Sequence, residues 1–220
     1  MDNLFQNELR TSLNLARKNI RVSSVSIAGE DFDLKDKRGN SIVLPKNTGD
    51  ASFHNSLRKE LYILDFEDLR NQFNPCAILD KGKITKRCDY FIAEKEGKSI
   101  CIFNEITTSK DIYGLTTSIK DKKGNVQYQG GKIEKGQEQL LQSLQCVEKC
   151  TDLWTEIRSF SKRICLFSYK LSDTSISEQN LFNLALSFEN DENGTVYPNK
   201  EIEKLGFEYR RIDYTPFKIS

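Results

Sequence analysis

The chain has 220 residues, 37 % of them hydrophobic and 30 % charged, enough to bury one core without covalent staples and too apolar for a disordered chain. With 33 basic and 32 acidic residues the formal net charge is +1, which excludes binding to nucleic acid by bulk charge; a phosphate-binding surface would require local segregation. The opening MDNLFQNELR is charged, and no run approaches the roughly 18 apolar residues of a membrane span, so one cytoplasmic domain over 1–220 with no membrane partner is expected.

Residues 3–19 place Leu4, Leu9, Leu13 and Leu15 among polar residues and predict a helix. RVSSVSI (21–27) and SIVL (41–44) predict strands, joined by the charged stretch GEDFDLKDKRGN. Residues 53–70 predict a helix with Leu57, Leu61, Leu64 and Asp68 near one face, ended by Asn74-Pro75. KRCDYFIA (86–93) and SICIFNEIT (99–107) predict two strands of a hairpin around the turn EKEGK. Residues 111–130 carry two strand-like runs around Lys122-Lys123-Gly124-Asn125 and predict an inserted hairpin arm. Helices are expected at 133–149 and 178–188, and strands at 163–169 and 207–213. The order implies an α/β fold with a mixed central sheet flanked by helices, its core at about 53–170.

The six cysteines are scattered without a C-x-x-C, and the one histidine, His54, is remote from Cys146 and Cys150. Free buried thiols in a reducing compartment are expected rather than a zinc site. A lone histidine also argues against Ser-His or Cys-His nucleophilic catalysis.

Asp89 and Glu105 each fall in the middle of an apolar strand, where carboxylates are depleted and costly to bury unpaired. Alternation places Glu105 on a face with Cys101, Phe103 and Thr107. Two carboxylates on paired strands can share a divalent cation; alternatively Asp89 pairs with a nearby Arg or Lys and Glu105 sits at a sheet edge. Mg²⁺ is held by one or two carboxylates plus waters and phosphate oxygens.

Arg87-Cys88-Asp89-Tyr90-Phe91-Ile92, a turn, and Phe103-Asn104-Glu105-Ile106-Thr107 resemble the hairpin of PD-(D/E)-x-K nucleases, with a restriction-endonuclease-like core. The resemblance spans about residues 76–169. It implies that Asp89 and Glu105 hold Mg²⁺ (or Mn²⁺), that a lysine helps activate water, and that a following helix carries a supporting glutamine. Thr107 stands where the motif lysine belongs. Lys135 is the first replacement candidate, with Lys98, Lys110 and Lys132 behind it. Gln137 falls in the apolar stripe Ile133, Leu140, Leu141, Leu144 and Val147 and is the preferred glutamine; the motif register of some relatives would select Gln139. Relatives also place an acid on the helix before the hairpin, which makes Glu60 a third metal-ligand candidate. The resemblance implies a Mg²⁺-dependent nuclease, in bacterial defence or restriction, with DNA favoured over RNA as partner and a homodimer or larger defence complex as context. A catalytically silent nuclease-like module that binds nucleic acid or a protein is the alternative.

Overall fold

In the computed structural model, which describes residues 1–12, 20–36, 41–73, 76–79, 82–84, 86–109, 112, 117–120, 126–129, 131–171 and 193–220, seven strands form one mixed sheet. Its left half is antiparallel: β1 (Ser24–Ile27), β4 (Leu61–Asp65), β7 (Tyr90–Glu94) and β8 (Ile100–Ser109) are successive neighbours. From β8 the chain crosses over through α3 (Lys132–Glu148) and α4 (Thr151–Arg158) to β11 (Lys162–Leu171), which pairs parallel with β8. Such a crossover is what a parallel pair requires. β13 (Glu208–Ile212) adds parallel to β11, and the two-residue β12 (Thr195–Val196) closes the edge antiparallel.

The two sheet faces bury different cores. Phe91, Ala93, Cys101, Phe103, Cys165 and Phe167 point toward the helices, and there meet Phe5 and Leu9 of α1 (Asp2–Ser12), Leu140 and Leu144 of α3, Leu153 of α4 and Ile202 of α5 (Lys200–Lys204). Ile92, Ile102, Ile106, Ile164 and Leu166 point the other way. They are covered by a three-stranded sheet of β2 (Asp31–Leu34), β3 (Ala51–Asn55) and β14 (Phe217–Ile219), which supplies Phe32, Leu34, Phe53 and Phe217. The expected mixed α/β sheet with flanking helices is therefore present, with a second sheet on the face the helices leave.

Several expected elements differ. Residues 53–70 are not one helix: they comprise the end of β3, the strand β4 and the short α2 (Phe66–Asn71). All five β4 side chains are buried, and a short apolar run buried on both faces lacks the alternation that distinguishes a strand. Asp65 caps α2 by accepting the Asp68 N–H at 2.6 Å. The second strand lies at 31–34, inside the charged stretch; the expected strand at 41–44 contributes only the bridge between Leu44 and Asp33. The first helix is described over Asp2–Ser12, and the helix expected at 178–188 lies outside the described residues. The arm is represented by β9 (Thr117–Lys120) and β10 (Val126–Gln129), paired antiparallel in a sheet of their own. β5 (Cys76–Leu79) and β6 (Gly82–Ile84) form a further small hairpin. Cys88, Cys101, Cys146, Cys150 and Cys165 are buried free thiols. Among the described residues no helix is long and apolar enough to cross a membrane.

Candidate active site

Tyr90 and Asn104 are the last pair of the β7–β8 ladder, and Asp89, one step before β7, bonds through its backbone to Asn104, the residue before Glu105. Both belong to the helix-facing register of their strands, with Phe91 and Ala93 in one case and Cys101 and Phe103 in the other. Asp89 is anchored by the chain around it. Its N–H donates to Asn104 O at 3.1 Å, its carbonyl accepts from Phe66 N and Glu67 N, and its Oδ2 accepts from Ile106 N at 2.7 Å. Glu105 is 6 % exposed, and its Oε2 has no hydrogen-bond partner.

The electrostatics are those of negative charge without a matching cation. Burial, foremost, raises the Asp89 pKa well above the ordinary carboxylate range; the Ile106 N–H opposes this, while Asp36, Glu67 and Asp65 add to it. Burial likewise raises Glu105, reinforced by Asp89, Asp36 and Glu67 and opposed by the side-chain amide of Gln139. Two further acids thus approach the pair from other elements. Glu67 comes from the first turn of α2 and is shared with Arg87 at 3.6 Å. Asp36, just beyond β2, accepts from the Thr108 hydroxyl at 2.9 Å.

The expected glutamine is corrected by the geometry of α3. Its buried stripe is Gly136, Leu140, Ser143, Leu144 and Val147. Gln137 and Gln139 flank this stripe on opposite sides. Gln137 lies toward β13, near the Tyr209 hydroxyl, which forms no hydrogen bond among the described residues. Gln139 turns to the acid pair, and also donates to Arg87 O at 3.0 Å. The same flank is fastened to the chain before Asp89 by Gln142, which accepts from Lys86 N, and Ser143, which accepts from Cys88 N at 2.8 Å. The helix sits low on the sheet, for a Cβ added to Gly136 would lie 2.3 Å from the Phe167 ring.

Glu60 is not part of the site. It precedes β4 at the end that pairs with Glu94, about 20 Å along the strand from Asp89, and its carboxylate pairs with Lys95 at 2.5 Å. Glu67 is the acid that the preceding helix brings close. Thr107 is buried two residues beyond Glu105 in the helix-facing register. Lys135 lies one turn before Gln139 on the same flank of α3, half-buried, and forms no ion pair with Asp89 or Glu105. Lys98 is committed to Glu156 at 2.9 Å at the far end of the hairpin. Lys132 is exposed in the first turn of α3, and Lys110 lies outside the described residues. Asp89 and Glu105 stood out as carboxylates in apolar runs, although the strand expected at 86–93 begins only at Tyr90; Asp36 and Glu67 sit among other charged residues and carry no such signal.

Among the described residues no group of three or more His, Cys, Asp or Glu side chains is arranged to hold a metal ion. Two carboxylates are nevertheless a sufficient protein contribution for Mg²⁺, whose remaining positions go to water and phosphate oxygens. The orphaned Oε2 of Glu105 and the upward-shifted pair fit such a cation, since both features describe anionic ligands lacking a counter-charge. No protein-family model, no curated protein and no solved structure matches the chain.

Proposed function

We propose that the chain is a nuclease dependent on Mg²⁺ or Mn²⁺, hydrolysing phosphodiester bonds of nucleic acid, with DNA as the favoured substrate. The observation that carries this reading is the closeness of Asp89, one step before β7, to Glu105 on β8, both buried, with one carboxylate oxygen unpartnered. The order of a carboxylate-bearing hairpin, a crossover helix with a glutamine turned toward the acids, and a parallel strand supports a restriction-endonuclease-like core.

Asp89 and Glu105 hold the cation, which when bound polarises the scissile phosphate and favours hydroxide over water as nucleophile. Ile106 N–H keeps the Asp89 carboxylate turned to its partner, and Gln139 orients Glu105. Groups that hydrogen-bond to a metal ligand tune its geometry. Lys135 takes the place of the lysine missing at Thr107. Lys135 and Gln139 are four apart and share a helix face, so both can turn toward the acid pair. The Lys135 ammonium reaches the phosphate once substrate and cation offset the surrounding acids. A catalytically silent binding module is the second reading, favoured by the threonine at 107 and the absence of a Lys135 ion pair.

Incubation with DNA and RNA under Mg²⁺ or Mn²⁺ decides between them. Cleavage is expected in the wild type and lost in Asp89→Ala and Lys135→Ala, with a 10–100-fold decrease in Gln139→Ala and little change in Gln137→Ala. Wild-type cleavage with Lys135→Ala fully active would reassign the lysine. Cleavage only after Thr107→Lys would identify a silent native site.

A further inference from the structure

A third residue lies on the same cross-sheet row as the acid pair. Phe167 of β11 is registered opposite Glu105 on one side and opposite Arg211 of β13 on the other. Arg211 shares the helix-facing register of Tyr209, which belongs to the helix-side core. The row across the sheet therefore reads Asp89, Glu105, Phe167, Arg211, with about 10 Å between the backbones of β8 and β13. Helix α3 passes above Phe167, leaving Glu105 on one flank and Arg211 on the other.

Arg211 differs from every other arginine that the described residues keep from full exposure. Arg70 donates to Phe73 O, Arg87 faces Glu67, Arg163 donates to three carbonyls, and Arg210 pairs with Glu208. Among the described residues Arg211 makes no ion pair and no hydrogen bond, and its Nε is buried without a partner. It is instead held in place by stacking: the guanidinium carbon lies 3.2 Å from the centroid of the Tyr197 ring and 5.8 Å from that of Tyr209. A cation fixed by aromatic faces, with its fork of N–H donors unspent, is suited to bidentate recognition of a phosphate.

We propose that Arg211 binds a backbone phosphate of the nucleic acid whose scissile phosphate lies at Asp89 and Glu105, the strand passing around the N-terminal end of α3. This inference rests on the nuclease reading and adds a substrate-binding residue to it. Tyr197 is its positioning residue, limiting the conformations of the guanidinium before substrate arrives.

The test is oligonucleotide binding by the full chain in an Asp89→Asn background, which retains the Ile106 contact but does not cleave. Fluorescence anisotropy over a series of salt concentrations is measured with single-stranded and duplex DNA. Arg211→Gln, and Arg211→Met as a second variant that keeps the apolar stem over Tyr197, should each weaken binding about 10–100-fold. Each should also flatten the salt slope by about 0.7–0.9, the loss of one phosphate contact. Arg211→Lys should keep the slope and lose only part of the affinity. Folded Gln and Met variants that bind as tightly, with the same slope, would overturn the role of Arg211 and leave the nuclease reading standing. A background protein that binds neither oligonucleotide would overturn both.

Discussion

Two carboxylates facing one another in the sheet are a stability cost as well as a candidate site. The folded-state pKa values of Asp89 and Glu105 are both raised, by burial first and then by neighbouring acids. A group with a raised folded pKa favours folding when protonated, so its contribution is complete below the ordinary carboxylate pKa and is lost as pH rises through the folded value. Metal-free protein should consequently lose stability from this pair as pH increases from about 4 toward neutrality. Asp89→Asn removes one charge while its carbonyl can still accept from Ile106 N–H. It should stabilise metal-free protein at pH 8 by up to about 3 kcal/mol, the order of two charges roughly 6 Å apart at an effective dielectric near 20. Thermal melts of wild type and variant across pH 4–8 check this. A Mg²⁺-induced rise in melting temperature should appear in the wild type alone. A variant no more stable than wild type at pH 8 would show that the pair does not repel.

At the scale of elements, the site depends on how closely α3 lies on β8 and β11. Gly to Ala within a helix ordinarily gains about 1 kcal/mol from propensity. At Gly136 the new methyl would meet the Phe167 ring at 2.3 Å, so helix or ring must move. Gly136→Ala should therefore destabilise by about 1–3 kcal/mol, against the propensity trend. It should also reduce cleavage, because Gln139 and Lys135 ride on the displaced turn. Denaturant unfolding measures the first effect, and Phe167→Leu in the same chain should recover part of it. Gly136 was legible only as a weak point in the helical pattern. That it marks the closest helix–sheet approach follows from the parallel pairing of β11 with β8, a contact about 60 residues apart in sequence.

For the whole molecule, a net charge of +1 means that any hold on a polyanion comes from where charges stand. Acids collect at Asp36, Asp65, Glu67, Asp89 and Glu105, where a cation and phosphate would have to offset them. The arm is inserted between the end of β8, four residues past Glu105, and the start of α3, so it leaves the sheet on the side of the acid pair. Its lysines Lys120, Lys122 and Lys123 form a basic cluster on that segment. Replacing all three with Gln should weaken binding to every oligonucleotide alike and flatten the salt slope by up to about 2–3, since lysine–phosphate contacts carry little sequence information. Unchanged affinity and slope would show that the arm is not a phosphate contact.

Asp89 and Glu105 could be found from the sequence because their cost is local: a carboxylate in an apolar strand stands out whatever surrounds it. The hairpin, the crossover helix and the strand after it were legible for a similar reason, since alternation and helical periodicity are local patterns. Tertiary structure alone decided the rest. Gln137 and Gln139 are equivalent in composition, and only the docking of α3 over Phe167 turns one to Tyr209 and the other to Glu105. Glu60 lost its place because residues 61–65, buried on every side, carry no periodicity, so the chain direction that carries Glu60 away from Asp89 and brings Glu67 close was hidden. Arg211 gave no signal at all. Its stacking on Tyr197 and its place in one row with Glu105 and Phe167 come from the packing of strands distant in sequence rather than from any pattern along the chain.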